Sequence, residues 1–161
     1  MRGQSGFFRR GLLAGLVATT VVSLFMLLKQ ALGFMPHVNL VMDLAYALGY
    51  RDAASGWTAH YVIGVLAWGT LFPLFDRYSR FPHWINGLYF SSVVWLGVML
   101  LVMPAAGQGL FGSKLALGTP TVTLFLNWIY GAVLGETYSL LQPSQWAMLR
   151  HRWHDHRPHR A

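Results

Sequence analysis

Four long apolar stretches constrain this sequence more than any other feature. They cover residues 11–28, 57–75, 82–103 and 120–141. A membrane-spanning helix needs about 20 such residues, and only 11% of the chain is charged, against roughly 25% in soluble domains. Sheets would leave backbone groups unpaired in lipid. The sequence therefore predicts an all-α integral membrane four-helix bundle that forms one domain over residues 1–161.

The distribution of basic residues predicts how the bundle is oriented. If the N-terminus is cytoplasmic, nine arginines fall on the cytoplasmic side and three basic residues fall on the other side. Cytoplasmic loops carry an excess of Lys and Arg, so we expect both termini to be cytoplasmic in a bacterial inner membrane. The net charge of +7 then indicates contact with anionic lipid at that face. The cytoplasmic set is Arg2, Arg9, Arg10, Arg77, Arg80, Arg150, Arg152, Arg157 and Arg160, and the outer set is Lys29, Arg51 and Lys114.

The first outer loop has the pattern of a short amphipathic helix over residues 36–49. Pro36 is a suitable first residue and Gly49 a suitable stop. Such a helix lies on the membrane surface or caps the bundle, and we expect Asp43 to point away from its apolar face. That face consists of Leu40, Val41, Leu44, Ala45 and Leu48.

The two halves of the chain repeat the same order of features. In each half a span is followed by a Met-Pro pair, an outer segment and a polar residue four positions before a glycine. This repetition predicts two tandem helical hairpins related by an axis along the membrane normal. The matching features are Met35-Pro36 with Met103-Pro104, His60 with Asn127, and Gly64 with Gly131.

Small residues recur at helical spacing within the spans. Glycines four residues apart allow helices to approach closely in lipid, so we interpret them as packing positions. They are Gly11, Gly15, Gly64, Gly131 and Gly135.

His60 lies about one turn inside the second span, where an imidazole points into the bundle or into a wet cavity. Three roles stay open: an interhelical hydrogen bond with Asn127, a step in a proton relay, or a haem or metal ligand. A bis-histidine haem site needs a second intramembrane histidine. His37 lies in the outer loop and His83 at the opposite face, so neither supplies it.

Glu136 is the one acidic residue within a predicted span, about five residues from its inner end. It lies on the opposite face of the last helix from Asn127. We expect it to pair with Arg77 or Arg80, to reach the membrane surface, to contact a partner protein or to lie on an ion pathway.

The C-terminal tail, residues 143–161, is basic and rich in histidine. Histidine tracts bind zinc or copper, which makes His154 and His156 weak metal candidates. The neighbouring arginines oppose a dication, so we interpret the tail as an anchor on anionic lipid. A nucleic-acid partner is not expected, because no soluble basic module is present.

Catalytic and cofactor signals are weak throughout. The chain contains no cysteine, which excludes disulfides, thiolate metal sites and a cysteine nucleophile. Ser91 and Ser92 lack the context of a nucleophile elbow, and the acids form no close pair. We predict no enzymatic activity and no cofactor.

Several of these motifs occur together in a recognisable order. Gly-x3-Gly opens the first span, His60-x3-Gly64 the second, Met103-Pro104 ends the third, and Tyr130-Gly131 lies in the fourth. The chain resembles a family of small four-span bacterial inner-membrane proteins of unknown function. The resemblance implies a topology and no chemistry. It also implies a histidine before the last Tyr-Gly, where this chain has Asn127.

Three hypotheses about function follow. The first is a non-catalytic accessory or structural subunit that packs against other subunits of a larger membrane complex. The second is a small transporter or proton-linked carrier that uses His60, Asn127 and Glu136. The third is a haem- or quinone-binding membrane protein.

Overall fold

The structure is a computed structural model, which describes residues 2–142 and their side chains from Gly6 onward. Over this range the chain is helical and contains no strand. The predicted histidine-rich tail, including His154 and His156, lies outside the described residues. The helices are α1 (Arg2–Ala31), α2 (Leu40–Ala47), α3 (Ala53–Asp76), α4 (His83–Ala105) and α5 (Thr119–Leu140).

Three helices are long and apolar enough to cross a membrane: α1 from Gly6 onward, α3 and α4. They coincide with the first three predicted stretches and indicate a membrane protein. The α5 helix covers the fourth stretch with 22 residues, but it is less apolar than the other three. The fourth span therefore stays a prediction.

The long helices alternate in direction, so the bundle has two distinct ends. At the turn end, residues 77–82 join α3 to α4, and Phe7 of α1 meets Tyr138 of α5 with their ring centroids 6.5 Å apart. At the α2 end lie α2 and the connector between α4 and α5. The α1 helix packs against α3 and α5, and α4 packs extensively against α5. Contacts between α3 and α4 are concentrated near the turn end, within Gly69–Asp76 of α3.

Glycine pairs bring α1 against α3 at backbone distance. A Cβ added at Gly11 would overlap the carbonyl oxygen of Gly69, and one added at Gly15 would lie 3.0 Å from the carbonyl oxygen of Gly64. On the facing helix, a Cβ at Gly64 would overlap the hydroxyl of Thr19. Side chains at these positions would force α1 and α3 apart.

The same arrangement recurs between α4 and α5. A Cβ at Gly131 would overlap the carbonyl oxygen of Gly87 and the hydroxyl of Ser91, and one at Gly135 would overlap the carbonyl oxygen of His83. Gly87 and Ser91 are four residues apart, as Gly15 and Thr19 are in α1. The α1–α3 and α4–α5 pairs thus pack in the same manner, while the tandem repeat itself stays a prediction.

The α2 helix differs from its prediction in two respects. It begins at Leu40 and not near Pro36, because Asn39 is its N-cap and its side-chain oxygen accepts a hydrogen bond from the amide of Met42 at 3.2 Å. The expectation that Asp43 points away from the packed face is wrong, since Asp43 is 3% exposed. The reason is that α2 is covered on two sides, by α3 and by the α2 end of α4.

Candidate functional site

A central cavity of about 190 Å³ lies between the long helices near the α2 end. All five helices line it. Most of the lining is apolar, from Val22 and Met26 of α1 and Leu40 and Leu44 of α2 to Val98 of α4. The lining also includes polar side chains, which are His60 and Trp68 of α3 and Asn127 and Tyr130 of α5. An apolar cavity with a few polar groups is the usual form of a small-molecule site.

Both α3 and α4 change to π-helical geometry where they line the cavity. The segments are Val62–Trp68 in α3 and Val98–Val102 in α4. A π turn inserts one residue into an α-helix, leaves backbone groups out of the regular hydrogen-bond ladder, and is frequent at functional sites. One such group has a partner in α5, because the hydroxyl of Tyr130 donates to the carbonyl oxygen of Gly64 at 2.8 Å.

The imidazole of His60 is half-buried at the cavity wall, between two aromatic rings. The ring centroids of Trp57 and Tyr61 lie 5.7 Å and 5.9 Å from that of His60, both edge-on. Its Nε2 atom is buried and has no hydrogen-bond partner within the part of the chain that the structure describes. A buried polar nitrogen without a partner costs about 1–3 kcal/mol, so this atom is the strongest indication of a missing ligand group.

Asn127 lines the same cavity, as its predicted pairing with His60 requires, but the two side chains do not bond to each other in the structure. The Nδ2 atom of Asn127 donates to the carbonyl oxygen of Thr123, one turn back in α5, at 3.0 Å. The expected interhelical hydrogen bond is therefore wrong. Because Asn127 uses its own helix, its Oδ1 atom and second N–H group stay available to a molecule in the cavity.

The cavity is closed at both ends by structural elements. Toward the turn end lies an aromatic layer in which Phe90 of α4 meets Trp68, Phe72 and Phe75 of α3 with centroid separations of 5.6–6.1 Å. Toward the α2 end it is covered by α2, through Leu40 and Leu44. Contacts between α3 and α4 are concentrated nearer the turn end, which leaves the lateral side between their two π segments less covered by neighbouring helices.

The size of the cavity limits what it can hold. About 190 Å³ corresponds to roughly six water molecules at ~30 Å³ each, and an engineered apolar cavity of about 150 Å³ binds benzene. His60 is the one histidine among the lining residues, so the cavity wall supplies one axial histidine to a haem and not two. A molecule with a single ring and a polar substituent does fit.

Glu136 lies away from this cavity, on the outward face of α5. Its side chain is exposed and forms no ion pair with Arg77 or Arg80 among the described residues. The expectation of a pairing with either arginine is wrong. The carrier hypothesis grouped Glu136 with His60 and Asn127, but the structure brings only the latter two together.

The structure contains a polar cluster at the turn end that was not predicted from the sequence. The carboxylate of Asp76 is hydrogen-bonded to Nδ1 of His83 at 2.8 Å and accepts from Nδ2 of Asn86 at 2.7 Å. The hydroxyl of Ser79 donates to Oδ1 of Asn86 at 2.6 Å. The signal was available as Asp, His and Asn around a short turn between two spans. The cluster ties the ends of α3 and α4 together.

No group of three metal-binding side chains occurs in residues 2–142, the range in which it can be assessed.

The chain matches no curated protein and no solved structure. The model of a family of unknown function, DUF6789, matches residues 7–148. This match covers most of the chain and confirms the predicted kinship with an uncharacterised family. The chain therefore belongs to the family of unknown function DUF6789.

Proposed function

We propose that this chain is a four-helix integral protein of a bacterial inner membrane with its turn end in the cytoplasm. The α5 helix, at 22 residues, extends about 33 Å at ~1.5 Å per residue, enough for a hydrocarbon core of about 30 Å. It packs along both α1 and α4. The arginines at the turn end and in the tail support this orientation and would contact anionic lipid.

Within this bundle, the central cavity binds a small lipid-soluble molecule that carries a hydrogen-bonding oxygen, and it does so without catalysis. The single observation that carries this function is the unpartnered Nε2 atom of His60 at the wall of a largely apolar cavity that Asn127 also lines. A carbonyl or hydroxyl oxygen would complete its hydrogen bonding. We infer that such a molecule would enter from the bilayer at the lateral side between α3 and α4, where contacts between the two helices are few. A quinone headgroup has the required size and oxygens.

We expect the purified protein in lipid nanodiscs to bind a benzoquinone with a short alkyl tail in a saturable manner. Trp68 lines the cavity, so tryptophan quenching reports occupancy. His60→Leu should weaken binding by about tenfold or more, since a lost hydrogen bond to a buried group costs about 1–3 kcal/mol. A matched alkylbenzene without oxygens should bind weakly to both proteins.

His37→Leu is the matched control, because His37 is exposed in the first connector, away from the cavity. It should bind the benzoquinone like the unchanged protein. Equal affinities of the His60→Leu and His37→Leu proteins, or equal binding of the quinone and the alkylbenzene, would overturn the assignment of the cavity.

A second candidate, an accessory subunit of a membrane complex, is favoured by Glu136. Its carboxylate lies on the same outward stripe of α5 as Phe125 and Trp128, and all three side chains are exposed. A carboxylate on a lipid-facing helix surface is costly unless it meets a cation or reaches the interface. A basic residue of a neighbouring subunit would satisfy it.

Gentle detergent extraction from native membranes tests this candidate. The unchanged chain, of 18.1 kDa, is expected to migrate within a larger particle, and Glu136→Leu should release it. Thr121→Leu, at an exposed position on the same face, should leave the particle intact. Migration of the unchanged protein as a single chain would rule the subunit role out.

A further inference from the structure

The α2 helix is a short cover over the cavity that packs against α3 and against the α2 end of α4. Leu40 and Leu44 form part of the cavity wall, while the connectors on either side contain Gly33 at φ 65° and Gly49 at φ 84°. Both glycines adopt a left-handed conformation that other residues rarely take. A helix of eight residues between such connectors is marginal by itself, so its position depends on what it packs against.

Asp43 provides the polar contact between α2 and the second connector. Nε2 of Gln108 donates to Oδ1 of Asp43 at 3.1 Å. The Oδ2 atom is buried and has no partner among the described residues. Gln108 is held in place by its backbone, whose amide donates to the carbonyl oxygen of Met103 and whose carbonyl oxygen accepts from the amide of Lys114. A fixed amide thus faces a buried carboxyl group with one oxygen unpaired.

The charged groups around α2 do not compensate a carboxylate at this position. Lys29 of α1 directs its Nζ atom to the carbonyl oxygens of Phe34, Met35 and Val38 at 2.8–3.2 Å, which uses its three protons. Burial consequently raises the pKa of Asp43 to about 6, and the bond from Gln108 opposes this only in part. The remaining titratable or charged groups on α2 and on the segments packed against it are Tyr46, Tyr50, Arg51, Asp52, His60, Tyr61 and Lys114.

We propose that Asp43 is a proton-binding site that controls whether α2 stays closed over the cavity, with the protonated carboxyl group favouring the closed position. This inference rests on the ligand site proposed above, whose exchange α2 would regulate. The protonated group carries no charge into the buried contact. The ionised group gains solvation when α2 moves away.

The direction of the pH effect follows from the two pKa values. An exposed aspartate titrates near 3.9, and Asp43 in the closed position titrates at about 6. Because the closed form holds the proton more tightly, closure strengthens as the pH falls through about 6, and this gain is complete below about 3.9. Between these values the closed-to-open ratio changes by up to about tenfold per pH unit. Above about 6 the ionised carboxylate weakens closure.

Two spin labels measure closure directly. The chain contains no cysteine, so Leu48→Cys and Leu110→Cys, both at exposed positions, place one label beside α2 and one in the second connector. The population with the short inter-label distance should grow as the pH is lowered through about 6. In Asp43→Asn, which imitates the neutral group, that population should be high and independent of pH.

Asp52→Asn is the control, because Asp52 is exposed and asparagine also caps helices well. It should keep the pH response of the unchanged protein. An identical distance distribution at all pH values in the unchanged protein, or an unaltered pH response in Asp43→Asn, would overturn the role of Asp43.

A separate measurement with the benzoquinone distinguishes two negative results: that Asp43 does not control the position of α2, and that the cavity does not bind the molecule. If the cavity binds it, dissociation should slow on acidification in the unchanged protein and not in Asp43→Asn. A pH-dependent label distance without any benzoquinone binding would support Asp43 and contradict the ligand site. Binding with a pH-independent dissociation rate would contradict the regulation alone.

Discussion

Gly131→Leu is expected to prevent α4 and α5 from packing and to leave little folded protein. Even a single Cβ atom at this position would overlap the carbonyl oxygen of Gly87 and the hydroxyl of Ser91. The Gly87 oxygen belongs to the backbone of α4 and cannot rotate away, so the helices must separate. We expect a loss of more than about 4 kcal/mol, at the upper end of single substitutions. Reversible unfolding in mixed micelles with increasing dodecyl sulfate measures it.

Gly97→Leu is the matched control within α4. A Cβ at Gly97 meets no atom within 4 Å, and leucine favours a helix by about 0.5–1 kcal/mol over glycine. Its stability should therefore equal or slightly exceed that of the unchanged protein. If Gly131→Leu unfolded at the same detergent fraction as Gly97→Leu, the close approach of α4 and α5 would be refuted.

Asp76→Ala is expected to cost about 3 kcal/mol of stability. The substitution removes the acceptor for both His83 and Asn86, and Asn86 is 1% exposed. Removing one partner of a buried polar pair leaves the other unsatisfied, which costs more than the pair itself contributes. The ends of α3 and α4 should then separate, which amide hydrogen exchange in the turn at residues 77–82 would detect along with the lower stability.

Asp52→Ala is the reference against which the stability loss of Asp76→Ala is compared, because Asp52 is an exposed aspartate whose side chain caps the start of α3. An N-cap is worth about 1 kcal/mol. Asp76→Ala should therefore be the more damaging substitution by a clear margin. Equal losses in the two variants would mean that the cluster around Asp76 contributes no more than a solvent-exposed cap.

The long helices could be predicted because their signal is local. Apolar stretches of about 20 residues, interrupted by charge or proline, are enough to locate α1, α3 and α4, although α1 begins at Arg2, well before its predicted stretch. The α5 helix is polar enough at Asn127 and Glu136 that composition alone does not establish it as a span. Its place beside α4 comes from backbone contacts at Gly131 and Gly135, which composition does not measure.

The short α2 helix was predicted less well, for two physical reasons. A proline in the first turn and an asparagine N-cap both favour the start of a helix. Here α2 begins after its N-cap Asn39 and not at Pro36. Amphipathic patterns assume one buried face. Since α2 is covered on two sides, Asp43 is buried although its helical position is polar. The sequence contains no sign of Gln108 as its partner, 65 residues away.

Part of the candidate site was visible in the sequence. A polar residue inside a span indicates a functional or packing site, and this reasoning selected His60 and Asn127, which line one cavity. The π segments were not predicted, because hydrophobic periodicity assumes 3.6 residues per turn throughout. The cluster at Asp76 was missed because its members meet only when the turn at residues 77–82 closes.

The π segment of α3 also changes which residues share a face before and after it in this one long helix. Gly64 and Gly69 both face α1 although they are five residues apart, whereas Gly131 and Gly135 in the regular α5 are four apart. In an uninterrupted α-helix a spacing of five would turn the second glycine by about 140°. Loss or gain of one residue between them would rotate the half of α3 that carries His60 relative to the half anchored on Gly11. Within the family, such a length change could therefore re-aim the imidazole without replacing any side chain.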